Sequence, residues 1–471
     1  MATLKSAPSA LESAFAKLKA GYGANPFPDL RTRRGHLKAL RKNLIKRKED
    51  FALAVGQDFG GRSRLEVLYS EVFVSVHALR NAEDNVARWM ERREVEVDMP
   101  LQFASAWIMP QPVGVVGVIA PWNYPIFLAM GPLAGALAAG NRVLLKPSEF
   151  TPATSALLAE LIAETFSPDH VAVVQGGADM GVAFSRLPFD HLLFTGSTAV
   201  GRKVMQAAAE NLTPVTLELG GKSPALIAPN ANLKRAADDI VYGKLLNAGQ
   251  TCIAPDYVMI RRSDRDRFVE YLRAAVEKRY PDPTSNPDFT SIINEQQYAR
   301  LAGYLREAES AGAKVVPLSS GESDPLTRRF SPCAVLDPPD SIGMMQDEIF
   351  GPILPVQSYD SVDQAIAYIN DRPRPLALYL FSSSDRTIKD VLTRTVAGGV
   401  CINDTLAHIV AEDLPFGGSG FSGIGHYHGK AGFDTFSKLK PVFRRHGIGI
   451  GVLLRPPYGR LHEWMSKILI R

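Results

Sequence analysis

The chain has 471 residues, 46% of them hydrophobic and 22% charged, with a formal net charge of +4. One hydrophobic core does not usually serve that length, so two or three domains are expected. The balance is that of an ordinary globular protein. The mild, dispersed positive charge argues against nucleic-acid binding, and there is no apolar run of about eighteen residues to span a membrane.

The first ninety or so residues read as helical. Helices are expected over 10–18, over 30–45 with Leu37, Leu40, Leu44 and Ile45 at helical spacing, and across 64–90. The second has a basic face (Arg31, Arg34, Lys38, Arg41) that reads as solvated in preference to a nucleic-acid site. Val95, Val97, Leu101, Phe103, Ala106 and Ile108 then alternate as a strand does, interrupted at Pro100. A polar-edged hairpin here could reach a neighbouring subunit.

From Val113 strands and helices take turns: strand 113–120, helix 126–139, strand 142–145, helix 154–166, strand 171–174, a short helix near 179–185, strand 191–194 and a helix to about 211. Such alternation predicts a doubly wound parallel sheet with a ligand at the carboxyl ends of its strands. A second alternation follows: strand 225–228, helix 233–247, strand 257–261, helix 264–278, a proline-rich loop over 280–288, helix 295–311 and strand 314–317. Strands near Ala334 and Pro355, helix 362–370, strand 377–381 and helix 387–395 complete it. The tail from Arg460 places Leu461, Trp464, Met465, Ile468 and Leu469 on one helical face, with Arg460, Lys467 and Arg471 around it. That face could lie on a membrane surface; docking on its own protein is the preferred reading.

Cys252, Cys333 and Cys401 are too widely spaced for a disulfide framework and fit a reducing compartment. With no basic-then-apolar leader pattern, the expected location is the cytoplasm. Cys252 closes Gly249-Gln250-Thr251-Cys252, and Glu218 sits in Leu217-Glu218-Leu219-Gly220-Gly221. A thiol and a carboxylate on separate turns suit two-stage covalent chemistry, in which the thiolate attacks and the carboxylate later activates water. A small buried cysteine and a solvated turn glutamate are the plainer readings of each alone.

Other constellations are open in the same way. Gly196-Ser197-Thr198-Ala199-Val200-Gly201 follows a strand and opens a helix, where backbone N–H groups could meet a pyrophosphate. Lys146 and Glu149 in Lys146-Pro147-Ser148-Glu149 could hold ribose hydroxyls, or be a surface turn. Asn123, in Pro121-Trp122-Asn123-Tyr124-Pro125, could offer its amide to an oxyanion or cap the next helix. Glu348 and Phe350 in Glu348-Ile349-Phe350-Gly351-Pro352 could grip a ribose and flank a flat ring, or pack an ordinary turn. There is no CxxC or HExxH pattern for a metal; His426 and His428 read as a hydrogen-bonded pair in preference to ligands. No G-x-S-x-G elbow of a serine hydrolase is present.

Taken together and in order, PWNYP, KPSE, FTGST, LELGGKSP, NAGQTC, EIFGP and PFGGSG resemble the aldehyde dehydrogenase superfamily, over about residues 30 to 440. Ala254-Pro255-Asp256-Tyr257-Val258, Cys401-Ile402-Asn403-Asp404-Thr405 and Phe433-Asp434-Thr435-Phe436-Ser437 are similar to its class 3-like branch. Arg455-Pro456-Pro457-Tyr458-Gly459 and Gly425-His426-Tyr427-His428-Gly429 look like the bacterial coniferyl aldehyde dehydrogenases within it.

The resemblance implies an α/β fold with two doubly wound parallel-sheet domains and a small bridging β-sheet. Residues 1–93 and 113–218 would bind NAD(P) and 219–420 would form the catalytic domain. Residues 94–112 and 421–445 would bridge and oligomerise, and 446–471 would be a tail. It implies Cys252 as nucleophile, Glu218 as general base, and Asn123 with the Cys252 backbone N–H as oxyanion hole. Gly196, Ser197, Thr198 and Gly201 would meet the pyrophosphate, Lys146 and Glu149 the adenine ribose, and Glu348 and Phe350 the nicotinamide riboside. NAD is the expected cofactor, since Glu149 should repel a 2′-phosphate, with NADP as the alternative. The expected substrate is an aromatic aldehyde such as coniferaldehyde, the alternative a medium- or long-chain aliphatic one, and the expected assembly a homodimer. Two competing readings are an acylating enzyme that passes its thioester to coenzyme A and a non-enzymatic dinucleotide-binding protein.

Overall fold

The structure is a computed structural model that describes residues 7–98, 101, 103–447 and 455–470. The interruption expected at Pro100, and Arg471 beside the tail helix, lie outside the described residues. Strands β1 (Arg93–Val95) and β2 (Ala104–Pro112) come first and pair antiparallel. Next are β3 (Val115–Ile119), β4 (Arg142–Lys146), β5 (Val171–Val173), β6 (His191–Thr195) and β7 (Val215–Glu218), parallel to one another in the order β7-β6-β3-β4-β5.

The second alternation gives β8 (Pro224–Ile227), β9 (Tyr257–Arg261), β10 (Lys314–Pro317), β11 (Cys333–Leu336), β12 (Ile353–Tyr359), β13 (Ala377–Phe381) and β14 (Gly399–Ile402). They form a 7-stranded sheet in the order β10-β11-β12-β9-β8-β13-β14. Finally β15 (Gly423–Ile424) joins the first sheet beside β7, and β16 (Ser437–Arg445) runs antiparallel along β2. The class is the expected α/β with a small antiparallel sheet. Each large sheet, however, carries one antiparallel edge strand, β15 or β10, so both are mixed.

The strands are apolar throughout because both of their faces are covered. Val116, Val118, Val143, Leu145 and Leu193 point to one side of the first sheet, among Leu79 and Val86 of helix Val74–Trp89 and Leu133 and Leu137 of helix Phe127–Ala139. Val115, Ile119, Leu144, Leu192 and Phe194 point to the other, onto Leu11, Phe15 and Leu18 of helix Ala7–Ala24 and Val204 of helix Thr198–Ala209. Each such side chain contributes about 1.5–3 kcal/mol by leaving water, and Leu144→Ala would cost about 2–5 kcal/mol.

The chain builds β3, β4 and β5 outward in one direction, then returns to lay β6 and β7 on the other flank of β3. The connections leaving β3 and β6 therefore diverge and open a crevice at their carboxyl ends, the usual ligand position in such sheets. Helix Lys48–Phe59 has no counterpart among the expected elements, although Phe51, Val55 and Phe59 are spaced for one helical face and all are buried. The tail does form a helix, Arg460–Leu469, but it does not dock as preferred. Leu461, Trp464 and Ile468 are 53%, 60% and 50% exposed. Among the described residues no helix is long and apolar enough to cross a membrane.

Candidate active site

Asn123 lies in the loop that leaves β3 at the crevice. Its side-chain amide donates to the Gln250 carbonyl at 3.1 Å, one turn of chain before Cys252. It is not a helix cap. The first amides of the following helix, at Ile126 and Phe127, donate instead to a carboxylate oxygen of Glu71, at 2.7 and 3.3 Å. The Asn123 carbonyl is held by Arg62 Nη1 at 3.0 Å and Asn247 Nδ2 at 2.9 Å. Next to it the Tyr124 hydroxyl meets Thr251 Oγ1 at 2.7 Å, so the Pro121–Pro125 loop and the cysteine loop are fastened at two points.

The cysteine loop is made by an abrupt end to a helix. The apolar pattern predicts a helix to Asn247; the α-helix stops at Leu245, and Asn247 and Ala248 take left-handed backbone angles (φ 53° and 52°). Gln250 compensates that strain. Its amide nitrogen donates to the carbonyls of Asn247 (3.0 Å) and Ser291 (3.1 Å), and its amide oxygen accepts from Ile293 N at 2.9 Å. A fully buried, fully bonded side chain thus places the next two residues. Cys252 follows, half-buried and free, with the amides of Cys252 and Ile253 directed at its sulfur. Burial, and then the carboxylates of Glu348 and Glu218, push its thiol up to about 12.

Glu218 ends β7 and is 3% exposed. Neither of its carboxylate oxygens has a hydrogen-bond partner within the protein. Burial alone holds its pKa well above the usual carboxylate range. A buried carboxylate with two unmet oxygens is expensive, and sites that keep one use it to hold water or move a proton. Glu348 approaches from the other large sheet. It accepts from the Gly221 amide, and a Cβ on Gly220 would collide with its carboxylate. Burial and then Asp256 raise it to about 8.

The remaining site residues line the crevice. Ser197 caps helix Thr198–Ala209 by accepting from Val200 N at 3.4 Å, and the Gly196 amide donates to the Glu218 carbonyl at 3.0 Å. A Cβ at Gly196 would strike Phe194 and one at Gly201 would strike Leu219, so both positions need glycine for close approach. Thr198 Oγ1 donates to the Phe421 carbonyl at 3.1 Å. Lys146 is buried at the end of β4 and meets Glu149 at 3.2 Å. Phe350 has a left-handed backbone (φ 51°) and sets its ring edge-on to Trp122, 5.3 Å between centroids. The glycine turn, the helix N-terminus that follows it, a buried lysine beside a carboxylate and a second carboxylate at Gly220–Gly221 fit a dinucleotide: anion, diol and ring each have a matching surface.

The structure brings together Cys252, Glu218, Asn123 and Glu348. It also adds Arg62, Glu66, Glu71, Asn247 and Gln250, which sequence reading missed as functional. Only burial distinguishes Arg62 and its two glutamates from a solvated helical charge pattern, and sequence does not display burial. His426 and His428 are not the hydrogen-bonded pair expected. His426 is exposed, while His428 is buried with neither ring nitrogen bonded. No cluster of metal-ligating side chains occurs among the described residues.

The chain matches the Aldehyde dehydrogenase family over residues 2–442. It is 50% identical over 463 residues to a probable coniferyl aldehyde dehydrogenase of Pseudomonas aeruginosa, covering 98% of this chain and 96% of that one. It is 44% identical over 464 residues to a coniferyl aldehyde dehydrogenase of a Pseudomonas species, with 98% and 96% covered. Among solved structures, the substrate-bound state of Staphylococcus aureus AldH superposes with a TM-score of 0.91 at 37% identity, over 97% of this chain and 99% of that one. The P. syringae AldA indole-3-acetaldehyde dehydrogenase in complex with NAD+ and IAA gives 0.86 at 26% identity, over 93% and 89%. The chain belongs to the aldehyde dehydrogenase family. It is an oxidoreductase that takes an aldehyde to its carboxylic acid with NAD(P).

Proposed function

We propose that Cys252 is the nucleophile, Glu218 the general base, and Asn123 with the Cys252 amide the oxyanion hole. The observation that carries this is a partly buried free thiol within electrostatic reach of a buried, unbonded carboxylate. The Cys252 thiolate adds to the aldehyde carbon, and the alkoxide that forms is held by the two N–H donors, worth about 3 kcal/mol each. A bound nicotinamide supplies the hydride acceptor. Loss of hydride leaves a thioester on Cys252. Glu218 then takes a proton from water as its oxygen bonds to the acyl carbon; the C–S bond breaks and the carboxylic acid departs.

For the cofactor we propose NAD in preference to NADP. Gly196, Ser197, Thr198 and Gly201 would receive the pyrophosphate, Lys146 and Glu149 the adenine ribose, and Glu348 and Phe350 the nicotinamide riboside. Glu149 would meet a 2′-phosphate as a like charge. The substrate proposed is an aromatic, unsaturated aldehyde such as coniferaldehyde, on the strength of the two Pseudomonas relatives. A cytoplasmic homodimer is the proposed state; the exposed Leu439 and Phe443 on β16 suit a subunit contact.

Formation of reduced cofactor from coniferaldehyde, with and without coenzyme A, tests the reading. Activity independent of coenzyme A, a lower KM for NAD than for NADP, and none in Cys252→Ala are expected. Full activity in Cys252→Ala refutes the nucleophile, and strict dependence on coenzyme A refutes the hydrolytic role of Glu218.

A further inference from the structure

Tyr427 is fully buried, and its hydroxyl has no hydrogen-bond partner in the protein. Its position is well fixed. Backbone bonds join Tyr427 and Phe416 in both directions, at 2.8 and 2.9 Å. The ring lies against Gly131, where an added Cβ would come within 3.3 Å of Tyr427 Cε2, and stacks edge-on to His428 at 4.4 Å. The strand that leads to it, β15, is laid on Glu218 itself: Gly423 pairs with Glu218 and Ile424 with Leu217. Glu218, Cys252 and Glu412 are the titratable groups near enough for their charge to act on its phenol.

Three buried polar atoms on β7 and on the chain just past its partner β15 therefore lack partners: both oxygens of Glu218 and the oxygen of Tyr427. Buried polar groups go unbonded rarely, and a cluster of them marks a place for water. A packing role does not explain the hydroxyl, since phenylalanine would fill the same space without the cost of burying it.

We propose that the Tyr427 hydroxyl is the second anchor of the hydrolytic water, holding it between Glu218 and the acyl carbon on Cys252. The inference rests on Glu218 being the base. The water gives one proton to Glu218, and its other O–H donates to the phenol oxygen, so the lone pair that forms the new C–O bond points at the thioester carbon. The C–S bond breaks and its electron pair returns to the Cys252 sulfur. Tyr427 stays protonated and takes no part in hydride loss, which precedes the water.

Tyr427→Phe separates the steps. Because the hydroxyl bonds nothing in the protein, the variant is expected to fold with an unchanged or raised melting temperature. Rapid mixing with NAD and an aldehyde should give a first burst of reduced cofactor of undiminished rate, with steady turnover down about tenfold, the loss of one hydrogen bond. With p-nitrophenyl acetate and no cofactor, the burst of nitrophenol should persist while the steady rate falls by the same factor. Equal turnover in variant and wild type overturns the proposal. So does a slowed burst, which places the tyrosine on the first addition, or a melting temperature that falls along with both phases, which makes it structural. Wild-type protein that yields no reduced cofactor from any aldehyde defeats the underlying functional reading instead.

Discussion

Glu218 is the residue at which function and stability oppose each other. Its carboxyl is buried without a partner, and its pKa is held well above the unfolded value by that burial. A raised carboxyl pKa favours folding fully below the unfolded value, and the benefit is lost as pH climbs toward the folded one. Glu218→Gln removes this penalty. It is expected to slow turnover by about a hundredfold or more and yet to raise the melting temperature, by more at pH 8 than at pH 5. A variant less stable at both pH values contradicts the account. Cys252 tells a related story. With its thiol pushed up to about 12 by burial, Glu348 and Glu218, Cys252 is held in its protonated form. Alkylation of Cys252 by iodoacetamide, followed by peptide mass, should rise about tenfold per unit between roughly pH 7 and 9. Glu348→Gln withdraws one nearby negative charge and should speed the reaction at pH 8; a flat profile, or slower reaction in that variant, speaks against the arrangement. Cys252, Glu218 and Asn123 stand together in the structure, and their residue types announce the chemistry. The unpaired state of Glu218 does not show in any motif, because it depends on what the folded chain leaves out.

At the level of elements, the site is held by charges a sequence reader assigns to solvent. Arg62, Glu66 and Glu71 have the spacing of an exposed helical charge pattern, but all three are inward. Arg62 bonds Glu66 at 2.8 Å, Glu71 at 3.0 Å and the Asn123 carbonyl. Glu66 accepts the Asn247 amide at 3.2 Å, and Glu71 accepts the first amides of helix Phe127–Ala139. Leu68–Phe73 is wound as a π-helix, which brings Glu71 to that helix end. One cluster thus fixes both the Asn123 loop and the entry to the cysteine loop. Glu71→Ala leaves Arg62 buried with one partner fewer and two helix amides unmet. It is expected to cost about 3–5 kcal/mol in urea unfolding, with a fall in kcat larger than the change in KM. A loss under about 1 kcal/mol sinks this reading. Periodicity located the neighbouring elements well, since apolar spacing is what it measures. It overran the helix before Cys252 because Asn247 and Ala248 leave helical angles for the sake of a distant hydrogen-bond set around Gln250.

Across the whole molecule, two mixed sheets face one crevice, and the strand order explains why. Reversal between β3 and β6 opens the first sheet where Asn123 and Gly196 stand, and Glu218 ends β7, where the chain crosses to β8 of the second sheet, whose connecting loops supply Cys252 and Glu348. The alternation of strand and helix made this class legible, and the seven ordered motifs made the family legible. Long-range pairing was not: β15 crosses back to β7 from more than two hundred residues on, and its two residues carry no pattern of their own. The tail helix was legible but its docking was not, since an amphipathic face does not say what covers it, and here Leu461, Trp464 and Ile468 stay exposed. The claim on which everything turns is that Cys252 becomes acylated in each turnover. Acid quench of Glu218→Gln during reaction with NAD and coniferaldehyde, followed by peptide mass analysis, tests it most directly. The Cys252 peptide is expected to carry the added mass of the acyl group, near one per chain, with none in Cys252→Ala. An unmodified Cys252 peptide at a time when reduced cofactor has formed would contradict it.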